Sequence, residues 1–370
     1  MAKTYPYLFE QITDFSNLHV AYLAARRGKR YSADALHFGA NLEEGLLALR
    51  EELRQGSYRT GHYNVFMVHE PKARQIAALP FRDRVAHHAL CRVIEPIWEA
   101  RFIRDSYACR VGKGTHACAN RLTQFLRQAE RRWPGEVYGL KLDVRSYFPS
   151  INHAILLGLL RRHIACDRTL ALITEIVGSW PVNGGETGLP IGNLTSQLFA
   201  NVYLHELDLF VKQELHAKMY VRYMDDAVIV AGDRGWLRDA QAQIAAFLAE
   251  QLRLRLNRKT EIFPAAQGIN FLGYRIWATH RLLRRDSVRR MRRRLRAFRA
   301  RWQRGEPILQ ELDASVQSWL GHARHANTYR LRRCTLAEGL VRIGYRGRNN
   351  VAICGGWDGD SGASAAGFDG

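Results

Sequence analysis

The sequence predicts an α+β fold in which a mixed region of helices and strands precedes a basic helical region. The chain has 370 residues, of which 47% are apolar, and this composition provides a substantial core and excludes a mainly disordered protein. Helical periodicity over residues 8–55 is followed by β-prone runs that alternate with further helices. The composition then changes after Ser287, since twelve arginines lie between Arg281 and Arg304.

The first predicted elements are helices, followed by a pair of strands. Residues 8–55 have apolar positions at helical spacing. Residues 63–68 and 74–79 are β-prone runs separated by a turn that contains a proline, and they predict two strands. A helix is predicted over residues 81–99, interrupted near Pro96 because proline removes a helical hydrogen bond.

The central region predicts a buried strand and several helices. The apolar run at residues 137–144 indicates a strand that ends in an acidic residue. The same periodicity arguments predict the remaining elements, which are helices over about residues 151–163, 193–212 and 237–252 and a short hairpin over residues 263–277.

Two adjacent carboxylates, Asp225 and Asp226, lie between two apolar, β-prone runs. Residues 219–221 precede them and residues 227–230 follow them, which predicts a β-hairpin with the acids at its tip. Carboxylates held at a rigid turn are hard oxygen ligands that suit Mg²⁺ together with substrate phosphates. An ordinary acidic turn is the alternative, because a motif as short as YMDD also occurs by chance.

A third carboxylate, Asp143, ends the strand predicted at residues 137–144. Alone, this residue would be read as a helix cap. A strand–helix unit between Asp143 and the hairpin can bring the strand end beside Asp225 and Asp226. Three carboxylates there could hold two Mg²⁺ ions about 3.5–4 Å apart, as in phosphoryl-transfer sites.

A glycine-containing segment, Gly188–Gln197, lies between these acids and is predicted to be a turn that runs into a helix. Glycine allows a close backbone approach, and a helix N-terminus favours a phosphate or a polar base edge. A plain loop and helix cap is the alternative. Upstream, Lys72 and Arg74 lie at a predicted hairpin turn and could clamp a triphosphate. Solvent-exposed charge is the alternative for both cations.

The chain has a formal net charge of +20 and a pI near 10.1, which favours a polyanionic partner. The arginine-rich segment carries one apolar stripe at helical spacing, with basic residues on every other face. So many like charges repel one another unless a polyanion neutralises them. A helix at a membrane surface is the alternative. The stripe is Val288, Met291, Leu295, Phe298 and Trp302, and the predicted nucleic-acid contacts are Arg289, Arg292, Arg293 and Arg296.

The sequence predicts a cytoplasmic protein without a membrane-spanning segment. The longest apolar run, residues 154–160, is far shorter than the ~20 residues that span a bilayer. The N-terminus lacks a secretory apolar segment. The six cysteines form no CxxC pair, so they are interpreted as reduced thiols and not as zinc ligands.

Taken in order, these motifs resemble those of reverse transcriptases, over roughly residues 5–335. The resemblance implies a right-hand polymerase, with fingers and palm built on a split βαβ sheet and an α-helical thumb. The matching motifs are Asp143 with Phe148, the GLPIGNLTSQ segment at 188–197, the YMDD hairpin, Asn257–Thr260 and the primer-grip segment Phe271-Leu272-Gly273-Tyr274.

The resemblance also implies roles for individual residues and the identity of the partners. Asp143, Asp225 and Asp226 would bind two Mg²⁺ ions, and the partners would be template RNA, primer, cDNA and dNTPs. The aromatic ring of Phe148, whose neighbour Tyr147 could be confused with it, would exclude a ribose 2′-hydroxyl. The other implied nucleotide contacts are Lys72, Arg74, Ile191, Gly192, Gln197 and Lys259, of which Lys259 would protonate the departing pyrophosphate.

The segment at residues 188–197 distinguishes between subfamilies of reverse transcriptases. Group II intron and retron enzymes carry Gln-Gly and Ser-Pro where this chain has Ile191-Gly192 and Ser196-Gln197. The latter pattern resembles the reverse transcriptases of diversity-generating retroelements, as do residues 81–90 and 315–323. That family copies a template-repeat RNA with errors opposite adenine and works with a small basic accessory variability protein. His87 and His88, within residues 81–90, are interpreted as packing residues and not as ligands.

The predicted domains are residues 1–278 as fingers and palm, 279–340 as a basic helical thumb, and 341–370 as a Gly/Asp/Ser-rich tail. The tail is either disordered or derived from repeat sequence. A retron-like, group II intron-like or abortive-infection reverse transcriptase is the alternative function. A catalytically silent nucleic-acid-binding scaffold is a further alternative, against which the intact aspartates argue.

Overall fold

The computed structural model describes residues 3–69, 73–181 and 184–340. It divides the chain into two compact units, Met1–Gln267 and Gly268–Gly370. The division falls before a small sheet at 269–283, whereas the sequence placed the boundary between residues 278 and 279. The predicted tail over residues 341–370 lies outside the described residues, and so does Lys72.

The first unit begins with four helices and a two-stranded antiparallel sheet, as the sequence predicts. Asp14 caps the second helix by accepting hydrogen bonds from the backbone amides of Ser16 and Asn17. The elements are α1 (Phe9–Ile12), α2 (Phe15–Arg26), α3 (Ala33–Ala40), α4 (Leu42–Gln55), β1 (Asn64–Val68) and β2 (Arg74–Ala78).

The helix α5 (Phe81–Glu99) continues through Pro96, so the predicted interruption there is wrong. Pro96 lies in the last turn, where few helical hydrogen bonds remain to be lost, and its carbonyl still accepts from the Ala100 amide at 3.3 Å. This helix packs against α2 and is largely buried.

A four-stranded antiparallel sheet forms the centre of the first unit, and its strands lie in the order β4 (Tyr220–Tyr223), β5 (Asp226–Ala231), β3 (Tyr138–Asp143) and β6 (Glu261–Pro264). Its core face carries fully buried Leu140 and Ile229, and helices pack around it. The GLPIGNLTSQ segment is a loop over residues 188–193 and enters a helix at Leu194. In chain order the elements are α6 (Thr115–Arg132), β3 (Tyr138–Asp143), α7 (Tyr147–Ser150), α8 (His153–Arg161), α9 (Asp167–Gly178), α10 (Leu194–Leu209) with a π-helical turn (Phe210–Glu214), β4 (Tyr220–Tyr223), β5 (Asp226–Ala231), α11 (Arg234–Leu252) and β6 (Glu261–Pro264).

The hairpin predicted over residues 263–277 is confirmed only in its second part, because residues 269–271 and 274–276 pair as antiparallel strands, whereas its first residues belong to another sheet. Residues of β6 pair with β3. The segment after Gly268 belongs to a separate three-stranded sheet in the order β7 (Ile269–Phe271), β8 (Tyr274–Ile276) and β9 (Arg281–Leu283). Gly268 has a φ of 78° and separates the two pairings. The second unit consists of β7 (Ile269–Phe271), β8 (Tyr274–Ile276), β9 (Arg281–Leu283), α12 (Arg285–Gln303), α13 (Leu309–Ala323) and α14 (Tyr329–Leu340).

The arginine-rich segment forms the single helix α12, as predicted. Met291 and Leu295 of its apolar stripe are buried, whereas Trp302 is 41% exposed. None of the helices in the described part of the chain combines the length and apolar character needed to cross a bilayer.

Candidate active site

The YMDD motif forms the tight turn between β4 and β5. Tyr223 pairs with Asp226, which leaves Met224 and Asp225 as a two-residue loop. Met224 has a φ of 55°, a value that a side chain of this size rarely adopts. Such a conformation persists only where the surrounding contacts fix it, and it is typical of functional sites. The acids therefore lie at a rigid tip.

The strand register brings the third carboxylate to this tip. Asp143, the last residue of β3, is the direct cross-strand partner of Asp226, the first residue of β5. Asp225 is adjacent in the turn. The sheet thus gathers at one end the three aspartates that the sequence singled out.

Charge accumulates at this end of the sheet. Burial first, and then the neighbouring charges of Asp226 and Asp143, together raise the pKa of the half-buried Asp225 carboxyl to about 6. Arg74 opposes this shift, which places its guanidinium within electrostatic reach of Asp225. Lys141 Nζ lies 3.8 Å from Asp226 Oδ1. The site is therefore an acidic cluster with cations at its margin.

Within the described ranges, no group of three or more acidic, histidine or cysteine side chains stands in a metal-binding arrangement. The chemistry of the donor set nevertheless fits a divalent cation. Burial and repulsion from the charges of Asp226 and Asp143 disfavour the charged form of Asp225, as its raised pKa shows. A bound divalent cation relieves such repulsion, and carboxylate oxygens are the ligands that hard cations prefer.

The end of β3 is fixed by the loop that carries Lys259. The Asn257 amide donates to the Asp143 carbonyl at 2.7 Å, and Thr260 Oγ1 lies 3.3 Å from the Asp143 amide. The Lys259 amide donates to Asn257 Oδ1 at 3.1 Å, and its side chain is exposed. The motif at residues 257–260 is thereby attached to the strand end that bears Asp143.

The segment at 188–197 is tied to the helix that carries Phe148. The Leu189 amide donates to the Phe148 carbonyl at 2.9 Å, and the Gly188 amide donates to the Ile151 carbonyl at 2.8 Å. Tyr147 is buried, whereas Phe148 is partly exposed. Phe148, and not its neighbour, is therefore the aromatic side chain available to a ligand.

The same segment is also joined to the strand that carries Arg74. The Ala77 amide in β2 donates to the Ile191 carbonyl at 3.1 Å. Gly192 has a φ of 118°, and a Cβ there would lie 3.1 Å from Ile76 Cγ2. These contacts fix β2 relative to the segment. Gln197 lies in the first turn of α10 and is partly exposed.

The remaining predicted contacts lie in the second unit. Leu272 and Gly273 have φ values of 52° and 85°, the pattern of a type I′ turn, between β7 with Phe271 and β8 with Tyr274. The Tyr274 hydroxyl donates to the His322 carbonyl at 2.8 Å. The four predicted arginines, Arg289, Arg292, Arg293 and Arg296, are exposed on α12.

Sequence reasoning did not single out two buried polar residues near these motifs. His153 Nε2 lies 2.7 Å from the Gly188 carbonyl. Arg222 is fully buried and donates to the Met224 carbonyl at 3.0 Å. An arginine inside an otherwise apolar strand was the one available signal, because charged side chains are almost never fully buried unless they are paired.

Comparison with known proteins gives one family and several relatives. Residues 68–276 match the family described as "Reverse transcriptase (RNA-dependent DNA polymerase)". The chain is 27% identical over 293 residues to Protein YkfC of Escherichia coli (strain K12), covering 67% of this chain and 74% of that protein. It is 24% identical over 305 residues to the Group II intron-encoded protein LtrA of Lactococcus lactis subsp. cremoris, covering 63% of this chain and only 50% of LtrA.

Among solved structures, the chain is similar to telomerase from Candida albicans in complex with a TWJ fragment of telomeric RNA. The TM-score is 0.48 at 13% identity, covering 78% of this chain and 55% of that chain.

Proposed function

The chain belongs to the reverse transcriptase family, the RNA-dependent DNA polymerases with a right-hand fold, and on this premise we propose that Asp143, Asp225 and Asp226 catalyse nucleotidyl transfer. In this reaction the 3′-hydroxyl of a primer on template RNA attacks the α-phosphate of a dNTP, and the bond from that phosphate to pyrophosphate breaks. The observation that carries this proposal is the register that pairs Asp143 with Asp226 beside the rigid turn of Asp225.

The three aspartates would hold two Mg²⁺ ions, which supply charge neutralisation at the attacking and leaving oxygens. Arg74, within electrostatic reach of Asp225, would pair with triphosphate oxygens. The partly exposed ring of Phe148 would pack under the sugar and exclude a 2′-hydroxyl. Lys259, exposed on the loop attached to the end of β3, would donate a proton to the departing pyrophosphate.

A primer-extension assay on an RNA template with Mg²⁺ tests this assignment. Asp225→Asn should lower the incorporation rate by roughly a thousandfold, because it removes a charged oxygen ligand while keeping the shape of the side chain. Asp233→Asn is the matched control, since asparagine can replace aspartate as the cap of α11. Equal incorporation by Asp225→Asn and the wild type would contradict the proposed site.

We further propose that the enzyme serves a diversity-generating retroelement and makes error-prone cDNA from a template-repeat RNA. Ile191-Gly192 and Ser196-Gln197 support this, because they resemble that subfamily. Ile191 places an apolar, partly exposed side chain in the nucleotide segment, where glutamine would offer a hydrogen-bond donor. A small basic accessory variability protein and a cytoplasmic location belong to the same proposal.

The error spectrum of the cDNA tests the subfamily. We expect misincorporation concentrated opposite template adenine, and we expect Ile191→Gln to reduce it. A spectrum that is flat across the four template bases would count against the retroelement role. It would favour the second candidate, a group II intron-like enzyme, which the similarity to LtrA supports.

A further inference from the structure

A fully buried ion pair lies directly behind the YMDD turn. Arg222 of β4 and Asp208 of α10 both have 0% side-chain exposure. The guanidinium binds the carboxylate with two hydrogen bonds, from Nε to Oδ1 at 2.7 Å and from Nη2 to Oδ2 at 2.6 Å. The Tyr220 hydroxyl donates to Asp208 Oδ1 at 2.8 Å. The carboxylate thus fixes the plane and direction of the guanidinium.

The third nitrogen of the guanidinium, Nη1, binds the YMDD turn itself. Arg222 Nη1 donates to the Met224 carbonyl at 3.0 Å and to Asn201 Oδ1 at 3.2 Å. Met224 is the residue with the unfavourable φ of 55°, and its carbonyl belongs to the peptide that begins Asp225. A charge-assisted hydrogen bond therefore acts on the peptide unit whose orientation aims the Asp225 side chain.

Stability alone does not account for this arrangement. Apolar side chains of similar volume often stabilise a fold as well as a buried ion pair does, because both charges must be removed from water. A bulky residue with positive φ, in contrast, needs surroundings that hold it in place. Arg222 supplies such a contact. Its planar, forked guanidinium can bind the Asp208 carboxylate and the Met224 carbonyl of the turn at the same time.

We propose that Arg222 is a positioning residue of the polymerase site: oriented by Asp208, it holds the Met224 carbonyl and so sets Asp225 and Asp226 in the geometry that binds divalent cations and nucleotide. The inference rests on the proposed catalytic role of these aspartates. Lysine at this position would keep the buried charge but could not make the two-point contact with Asp208 while reaching the turn.

The test compares Arg222→Lys with Arg110→Lys. Arg110 is a matched control because it makes a two-point contact with Glu99, with both Nε–O distances at 2.9 Å, and binds backbone carbonyls of Ile103 and Ser106 instead of the turn. Three quantities are measured: Mn²⁺ binding to the protein without nucleic acid, by electron paramagnetic resonance; kcat and KM for dNTP; and the thermal midpoint.

Arg222→Lys should weaken Mn²⁺ binding about tenfold, as loss of an outer contact does at metal sites, and should lower kcat. Its dissociation constant for primer–template should stay within about twofold of wild type. Arg110→Lys should lower the thermal midpoint with unchanged Mn²⁺ binding. If Arg222→Lys does not fold, the triple variant Arg222→Met, Asp208→Leu, Tyr220→Phe removes the buried charges and should show the same loss of Mn²⁺ binding.

Wild-type Mn²⁺ binding and kcat in either folded variant would overturn the inference and leave Arg222 a purely structural residue. Asp225→Asn, measured in parallel, separates this outcome from failure of the proposed function. If Asp225→Asn loses Mn²⁺ binding and activity while Arg222→Lys retains both, only the positioning role fails. If Asp225→Asn also retains both, the assignment of the catalytic site fails.

Discussion

His87 is held neutral by its surroundings in α5. Its Nδ1 lies 2.8 Å from Thr195 Oγ1, and the ring is 2% exposed. Burial, with a smaller contribution from the nearby His88, lowers the pKa of this imidazole to about 3. The histidine packs α5 against the start of α10, in keeping with its interpretation as a packing residue.

This burial predicts acid sensitivity of the fold. The unfolded chain takes up a proton on His87 near pH 6.5, whereas the folded protein does so only near pH 3. Its contribution to the free energy of unfolding is therefore complete above pH 6.5 and is lost as the pH falls towards 3. Denaturant titrations between about pH 7.5 and about pH 5 should show a steeper loss for wild type than for His87→Gln. Equal slopes would contradict this assignment.

Gly192 gives a second prediction at the same scale. Alanine there meets both an unfavourable φ of 118° and Ile76 Cγ2 at 3.1 Å. Gly192→Ala should cost about 1–3 kcal/mol in the free energy of unfolding and raise KM for dNTP, because β2 and Arg74 must shift. Gly158→Ala is the control, since it lies in α8 with no neighbour within 4 Å of the added carbon and should be neutral or stabilising. Unchanged KM in folded Gly192→Ala would show that the segment does not position β2.

At the scale of elements, local sequence patterns predicted the helices and hairpins that depend on neighbouring residues. They did not predict strand pairing with a partner that is distant in the chain. The YMDD hairpin follows from two apolar runs around acids, and α12 follows from one apolar stripe. The strand β6 was misassigned because its partner is β3, over a hundred residues earlier, and no local pattern encodes that pairing. Arg222 was missed for a different reason: Asp208 and the Met224 carbonyl are near it in the chain, but only the fold brings all three together in the interior.

The turn between β7 and β8 yields a prediction about the proposed primer grip. The ring of His322 stacks on Tyr274 with centroids 4.3 Å apart, and a Cβ on Gly273 would lie 2.9 Å from His322 Nε2. His322→Ala should loosen the turn and raise KM for primer–template several-fold, while KM for dNTP stays unchanged. Gln317→Ala on the same helix is the control. Equal changes in both KM values would indicate a general structural defect and not a primer contact.

At the scale of the whole molecule, the basic residues behind the net charge of +20 differ in their surroundings, because some are held in ion pairs and others are exposed. Several arginines of the first unit are engaged in ion pairs, as Arg222 is with Asp208 and Arg121 is with Asp105. On α12, Arg301 is likewise paired with Glu306 and Glu311, with the shorter contacts at 2.6 Å. The proposed nucleic-acid contacts Arg289 and Arg296 are exposed on the same helix.

Because α12 carries both paired and exposed arginines, the salt dependence of nucleic-acid binding tests directly which of them contact phosphate groups. Each arginine that neutralises a phosphate adds roughly one to the slope of log K against log salt. Replacing Arg289 and Arg296 by glutamine should therefore lower that slope by about two, measured by fluorescence anisotropy of an RNA–DNA duplex. Arg301→Gln removes a charge that carboxylates already neutralise and should leave the slope nearly unchanged. An equal drop for Arg301→Gln would mean that net charge, and not the exposed arginines of α12, governs binding.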